Sequence, residues 1–226
     1  MKNLFVLGLL LLSPVLAAAQ DGAATLRHVV PVTASVEGRT QSDYANLWWQ
    51  WAFSMPQRQS PVRDATGADC AINQEGPVWF LAGGYGSSRI SRRCTVPPGQ
   101  HIFFPIINML VFTSTDRSRT CDAVRADVAE NNDRFVQLRV ILDGAEITGL
   151  QQQRIASQDC FDPLARVPRS VNPPSYAPAA TDGYWVMLRP LPPGDHRLEF
   201  RAFYTNQNSA FGDMVQNITY DLTVLP

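Results

Sequence analysis

The chain is almost without lysine: Lys2 is the only one, so beyond the N-terminus every formal positive charge sits on arginine. Schiff-base and lysine-base chemistries are thereby excluded from the rest of the chain. A GC-rich genome, which favours arginine codons, is the simplest cause. An excess of either charge is missing too. The 20 acidic residues face 19 basic ones, a balance that argues against an electrostatic nucleic-acid binder. No G-x-S-x-G elbow, H-E-x-x-H helix, P-loop or dinucleotide fingerprint occurs, so no cofactor is implied. Past the N-terminus no apolar stretch approaches the roughly 20 residues of a bilayer span, and the mature chain is expected to be soluble.

What is present begins with an export signal. Lys2 supplies a positive start, Leu4 to Leu12 form a short apolar run, and Pro14 breaks it before Ala17-Ala18-Ala19. Small residues at Ala17 and Ala19 fit signal peptidase, so residues 1–19 are expected to be removed, leaving 20–226 as a single periplasmic or secreted domain. No low-complexity linker divides it. Export makes the four cysteines a disulfide framework. Three connectivities are open; sequential pairing, Cys70–Cys94 and Cys121–Cys160, closes two modest loops and is the expectation. A zinc site is disfavoured, since no C-x-x-C spacing or neighbouring histidine is present.

Two helices and many short strands are predicted. Thr40 with Asp43 makes a capping box for a helix over about 41–54. Tyr44, Leu47, Trp48 and Trp51 form one apolar face, Trp49 and Phe53 widen it, and Asp43, Asn46, Gln50 and Ser54 make a narrow polar stripe. Such a helix is expected to be buried against a sheet. The alternative is an aromatic platform for sugar rings, with Trp49 as its binding candidate. A weaker helix is expected over about 121–131. His101 to Phe112 reads as a strand buried on both faces, interrupted at Pro105. Residues 136–142 alternate into an Asp143-Gly144 turn. The alternation of His196, Leu198, Phe200 and Ala202, and of Ile218, Tyr220, Leu222 and Val224, marks two more strands with one buried face each. The fold class is mainly β, an antiparallel β-sandwich or jelly-roll. Residues 157–181 show no period and read as a long loop, tied at its start by Cys160.

Five blocks, WWQWAFSMP at 48–56, VWFLAG at 78–83, CTVPPGQHIFFPIIN at 94–108, DGYWVMLRPLPPGDH at 182–196 and ITYDLTV at 218–224, resemble a family of exported bacterial proteins. That family is uncharacterised, known mainly as signal-peptide proteins. The resemblance implies export and a β-rich single domain, and brings no activity or site residues.

The candidates for chemistry therefore come from residue type alone. His101 and His196 each follow a proline-glycine turn and are candidates for a general base. Glu75 and Asp182 would make a glycosidase-type pair if the fold set them roughly 5–10 Å apart. Asp64 and Asp69 bracket a Thr66-Gly67 turn with the oxygen-rich look of a calcium loop, although turn residues bonding their own backbone are expected. Arg89, Arg92 and Arg93 flank the Gly83–Ser88 loop, which also carries Tyr85; with Arg117 and Arg119 they are candidates to clamp a carboxylate or phosphate. Two functions follow: an exported binding or envelope-associated module with a glycan or small-molecule ligand, or a polysaccharide-acting hydrolase or lyase using a histidine and a carboxylate.

Overall fold

The computed structural model describes residues 28–85, 89–113, 118–130, 132–133, 136–171, 173–204 and 213–226. The expected signal segment, Gly86 to Ser88, Arg117 and Asn131 lie outside them.

Among the described residues nine strands form two sheets. Strands β1 (Val78–Phe80), β3 (His101–Phe112), β7 (Ala179–Leu188) and β6 (Arg154–Ala156) make one sheet, in that order across it. Strands β2 (Ile90–Val96), β9 (Met214–Val224), β8 (Gly194–Tyr204), β4 (Gln137–Leu142) and β5 (Ala145–Ile147) make the other. The sandwich is as expected, with one amendment: β1 pairs with β3, and β2 with β9, in parallel. Both sheets are thus mixed rather than purely antiparallel. Strand β7 begins at Ala179, inside the stretch 157–181 that reads as a loop in the sequence.

The inner faces meet in the larger core, where Phe104 lies against Phe200 with ring centroids 4.9 Å apart. The four-stranded sheet is also covered outside by helix α1 (Gln41–Phe53). Its capping box forms as predicted: Asp43 N donates to Thr40 Oγ1 at 3.1 Å and Thr40 N to Asp43 Oδ2 at 2.9 Å. Trp48 packs edge-on to Trp185, which stacks on Phe103 at 5.2 Å. All ten residues of β7 are consequently buried. Gly183 is required there, because a Cβ would stand 2.6 Å from the Ile107 carbonyl oxygen and 2.7 Å from Asn108 Cα. The β3 ladder shifts register between Pro105 and Ile107, at the expected interruption. Among the described residues no helix is long and apolar enough to cross a membrane.

The polar stripe of α1 turns inward onto the chain after β6. Ser42 Oγ donates to the Ala156 carbonyl at 2.9 Å, Gln50 Nε2 to that of Asp162 at 2.9 Å, and Ser157 Oγ to Asn46 Oδ1 at 2.7 Å. Helix α2 (Cys121–Ala129), capped by Thr120, puts Val124 and Val128 into the larger core. Cys121 bridges Cys160, and Cys70 bridges Cys94, the expected pairing. Closing loops of 39 and 24 residues, each bridge stabilises by about 3–4 kcal/mol through the unfolded chain.

The edge strand β2 would otherwise offer unpaired backbone groups to other chains. The segment 60–74 lies along it: Arg93 N donates to the Thr66 carbonyl at 2.9 Å. Gly67 makes that approach possible, since a Cβ would sit 2.2 Å from the Arg93 carbonyl oxygen.

Candidate functional site

Side chains alternate along a strand, so the outer face of the five-stranded sheet follows from register. Thr95, Thr223 and Asp195 form its first row, Arg93, Asp221 and Arg197 the second, and Ser91, Thr219, Glu199, Ile141 and Glu146 the third. Asn217, Arg201 and Arg139 follow, then Val215, Phe203 and Gln137. All are exposed or half-buried.

The first two rows floor a groove of about 560 Å³, with Asp143 and His196 at its β8 side. Arg197 is held by two carboxylates, Asp221 at 2.8 Å and Glu199 at 3.2 Å, and Thr223 Oγ1 donates to Asp195 Oδ1 at 2.8 Å. Cations and anions therefore alternate across the strands, with hydroxyls beside them. A shallower hollow of about 380 Å³ lies at the other end, around Phe203, Arg139 and Arg201.

The structure assigns the remaining candidates to separate places. His101 starts β3 on the four-stranded sheet and His196 lies on β8 of the other, so their shared turn type does not bring them onto one sheet. Burial and the nearby Arg189 lower the proton affinity of His101, with Glu37 opposing. His196 is shifted the opposite way: burial lowers its affinity, but Asp143 and the Pro192 carbonyl outweigh it.

Glu75 is an exposed loop residue paired with Arg166 at 3.0 Å. Asp182, buried on β7, takes both arms of Arg154, at 3.0 and 2.8 Å, and Asn132 Nδ2 at 3.2 Å. Burial raises the Asp182 carboxyl, the Arg154 fork opposing it. Arg154 also donates to the Ala129 carbonyl at the end of α2, which makes the cluster a fastener between that helix and β6–β7. A hollow of about 280 Å³ between α2 and β7 reaches Asp182 and Thr181.

Trp49 is buried, stacked on Phe53 at 5.7 Å, with Nε1 donating to Thr181 Oγ1 at 2.7 Å; it belongs to the helix-to-sheet core and not to an exposed platform. Tyr85 is exposed, with the Arg63 guanidinium 5.8 Å from its ring. Asp64 accepts from Thr66 N and Thr66 Oγ1, each at 2.7 Å, and from Asp69 N at 3.0 Å, a turn bonding its own backbone. Burial would raise the Asp64 carboxyl; these bonds outweigh it and lower it. Among the described residues no three His, Cys, Asp or Glu side chains are arranged to hold a metal.

The adjacent arginines Arg92 and Arg93 part company. Arg92 points inward, 1% exposed, and donates to the carbonyls of Asp64 at 2.7 Å, Ala82 at 2.7 Å and Val62 at 3.3 Å and to the Tyr220 hydroxyl at 3.0 Å. It ties the 60–74 segment to the core. Arg93 points outward into the groove. Arg119 pairs with Asp127 on α2.

The groove residues Thr95, Asp143, Asp195, Arg197, Asp221 and Thr223 were not singled out as site candidates from sequence. Their outward alternation was legible on β8 and β9; the signal lacking was that β2, β9 and β8 are neighbours.

The chain has no significant match among protein-family models, curated proteins or solved structures. The geometry itself defines a class: a helix-backed, two-sheet β-sandwich with two disulfides and one open polar sheet face.

Proposed function

We propose that the protein is an exported binding module whose ligand surface is the outer face of the five-stranded sheet, and that the ligand is a hydroxyl-rich strand such as an oligosaccharide. One observation carries the reading: among the described residues this face is left open while the other sheet is covered by α1, and its rows present guanidinium, carboxylate and hydroxyl groups around a groove. Arginine and aspartate side chains are planar, multiply hydrogen-bonding groups that suit adjacent sugar hydroxyls. With Trp49 buried, the reading no longer leans on an aromatic platform. The paired cysteines fit an oxidising compartment and so support export.

The hydrolase or lyase reading draws less support. A catalytic base needs a nitrogen or oxygen free to face substrate, whereas both ring nitrogens of His196 face acceptors, Glu75 and Asp182 are each paired with an arginine, and His101 stands on the other sheet from His196. The test is an array of neutral and uronate-containing oligosaccharides probed with residues 20–226. Binding is expected, weakened at least about tenfold by Arg197→Ala in a protein that keeps its circular dichroism. A silent array, or an unaffected variant, overturns the reading.

A further inference from the structure

His196 occupies the inward row at the start of β8, its side chain 11% exposed. Nδ1 stands 2.7 Å from Asp143 Oδ2 and Nε2 2.9 Å from the Pro192 carbonyl oxygen. A carboxylate and a carbonyl both accept, and only the imidazolium carries a hydrogen on each nitrogen. Either neutral tautomer turns a lone pair onto an oxygen, so one contact must loosen.

The two acceptors lie in separate turns. Asp143 opens the β4–β5 hairpin turn at φ 51°, followed by Gly144 at φ 84°. Pro192 belongs to the turn that leads into β8. The other Asp143 oxygen accepts from Arg197 N at 2.7 Å, and Asp143 N donates to the Arg197 carbonyl at 2.8 Å. The imidazole thus joins two turns, and the carboxylate carries that link to the groove residue Arg197.

We propose that His196 is a proton-operated latch: charged, it clasps the β4–β5 turn to the Pro192 turn and holds the end wall of the groove, and neutral, it releases one of them. The device rests on these contacts and not on the identity of any ligand. The charged groups around it are Asp143 from the β4–β5 turn, Asp195 and Arg197 on β8, Asp221 on β9 and Arg93 on β2. Burial opposes protonation, while the bonds to Asp143 and Pro192 and the charges of Asp143 and Asp195 favour it, with a net rise above the ordinary 6.5. A histidine raised in the fold contributes stabilisation that is fully present below its unfolded value and is lost as pH rises through its folded value. The latch therefore opens on the alkaline side.

The test is NMR of the mature protein across about pH 5 to 9, following the ring nitrogens of His196 and the exchange protection of the Arg197 amide. Three histidines make the ring assignable. Both ring nitrogens are expected to carry hydrogen on the acidic side of the His196 titration, and Arg197 protection is expected to fall about tenfold as the ring deprotonates. Asp143→Asn keeps an oxygen for the Arg197 amide but removes the charge. It should lower the pH at which His196 titrates. A wild-type ring that titrates at or below the ordinary histidine value overturns the latch, as does Arg197 protection that ignores the titration. Neither result bears on the array, and a silent array leaves the latch standing.

Discussion

The two sheets share one core and differ in what lies on their outer sides. On the four-stranded sheet, β7 buries both faces, and Trp185 and Met187 meet the tryptophans of α1. On the five-stranded sheet, β8 and β9 alternate between core residues and an outer face of arginine, aspartate, glutamate and threonine. The covered face spends its side chains on cohesion, where an aromatic ring removed from water is worth several kcal/mol. The open face contributes little to cohesion, because exposed ion pairs such as Arg201 with Glu199 are typically worth under about 1 kcal/mol. A surface that the fold does not need is free to be shaped for a ligand.

That contrast can be broken in three places. The largest effect is expected at Trp185→Ala, which empties the stack on Phe103 and the edge contact with Trp48; urea unfolding should report a loss of about 3–5 kcal/mol. Next comes Arg92→Met, the inward arginine of β2. It removes the buried donor from the Asp64 and Val62 carbonyls, leaves Ala82 and Tyr220 bonded only to each other, and frees the 60–74 segment, for an expected loss of about 3 kcal/mol by the same measurement. The smallest is on the open face. Thr219→Ala and Arg93→Ala should each change stability by less than about 0.5 kcal/mol. Should Arg93→Ala unfold the protein as readily as Arg92→Met, the division between the faces is wrong.

Arg92 and Arg93 also mark the limit of what the sequence discloses. The helix over 41–53, the alternating strands at 137–142, 194–204 and 214–224, and both disulfides were legible, because capping, period and cysteine order are local signals. An arginine on the inward row of β2 breaks the alternation rule, and only the carbonyls of Val62, Asp64 and Ala82 gathered around it explain its place. The polar stripe of α1 is visible in the sequence, but the partners of Asn46 and Gln50, the carbonyls of Asp159 and Asp162, lie more than 100 residues away in the chain. The groove was hidden for the same reason, since Arg93, Asp221 and Arg197 become neighbours only once β9 pairs with β2 in parallel and with β8 in antiparallel. The blocks at 48–56, 78–83, 94–108, 182–196 and 218–224 fall mainly on α1, β1, β3, β7 and β9 and supply much of both cores. They also include Thr95, Asp195, Asp221 and Thr223 of the open face, and leave Arg93 and Arg197 outside them.

The most direct test of the account is an amide chemical-shift map of residues 20–226 titrated with an oligosaccharide that binds on the array. The account predicts perturbations concentrated on the rows of Thr95, Thr223 and Asp195 and of Arg93, Asp221 and Arg197, with α1 and the outer side of β7 silent. Perturbations centred on α1, on the hollow beneath α2, or on the loop bearing Tyr85 would contradict it.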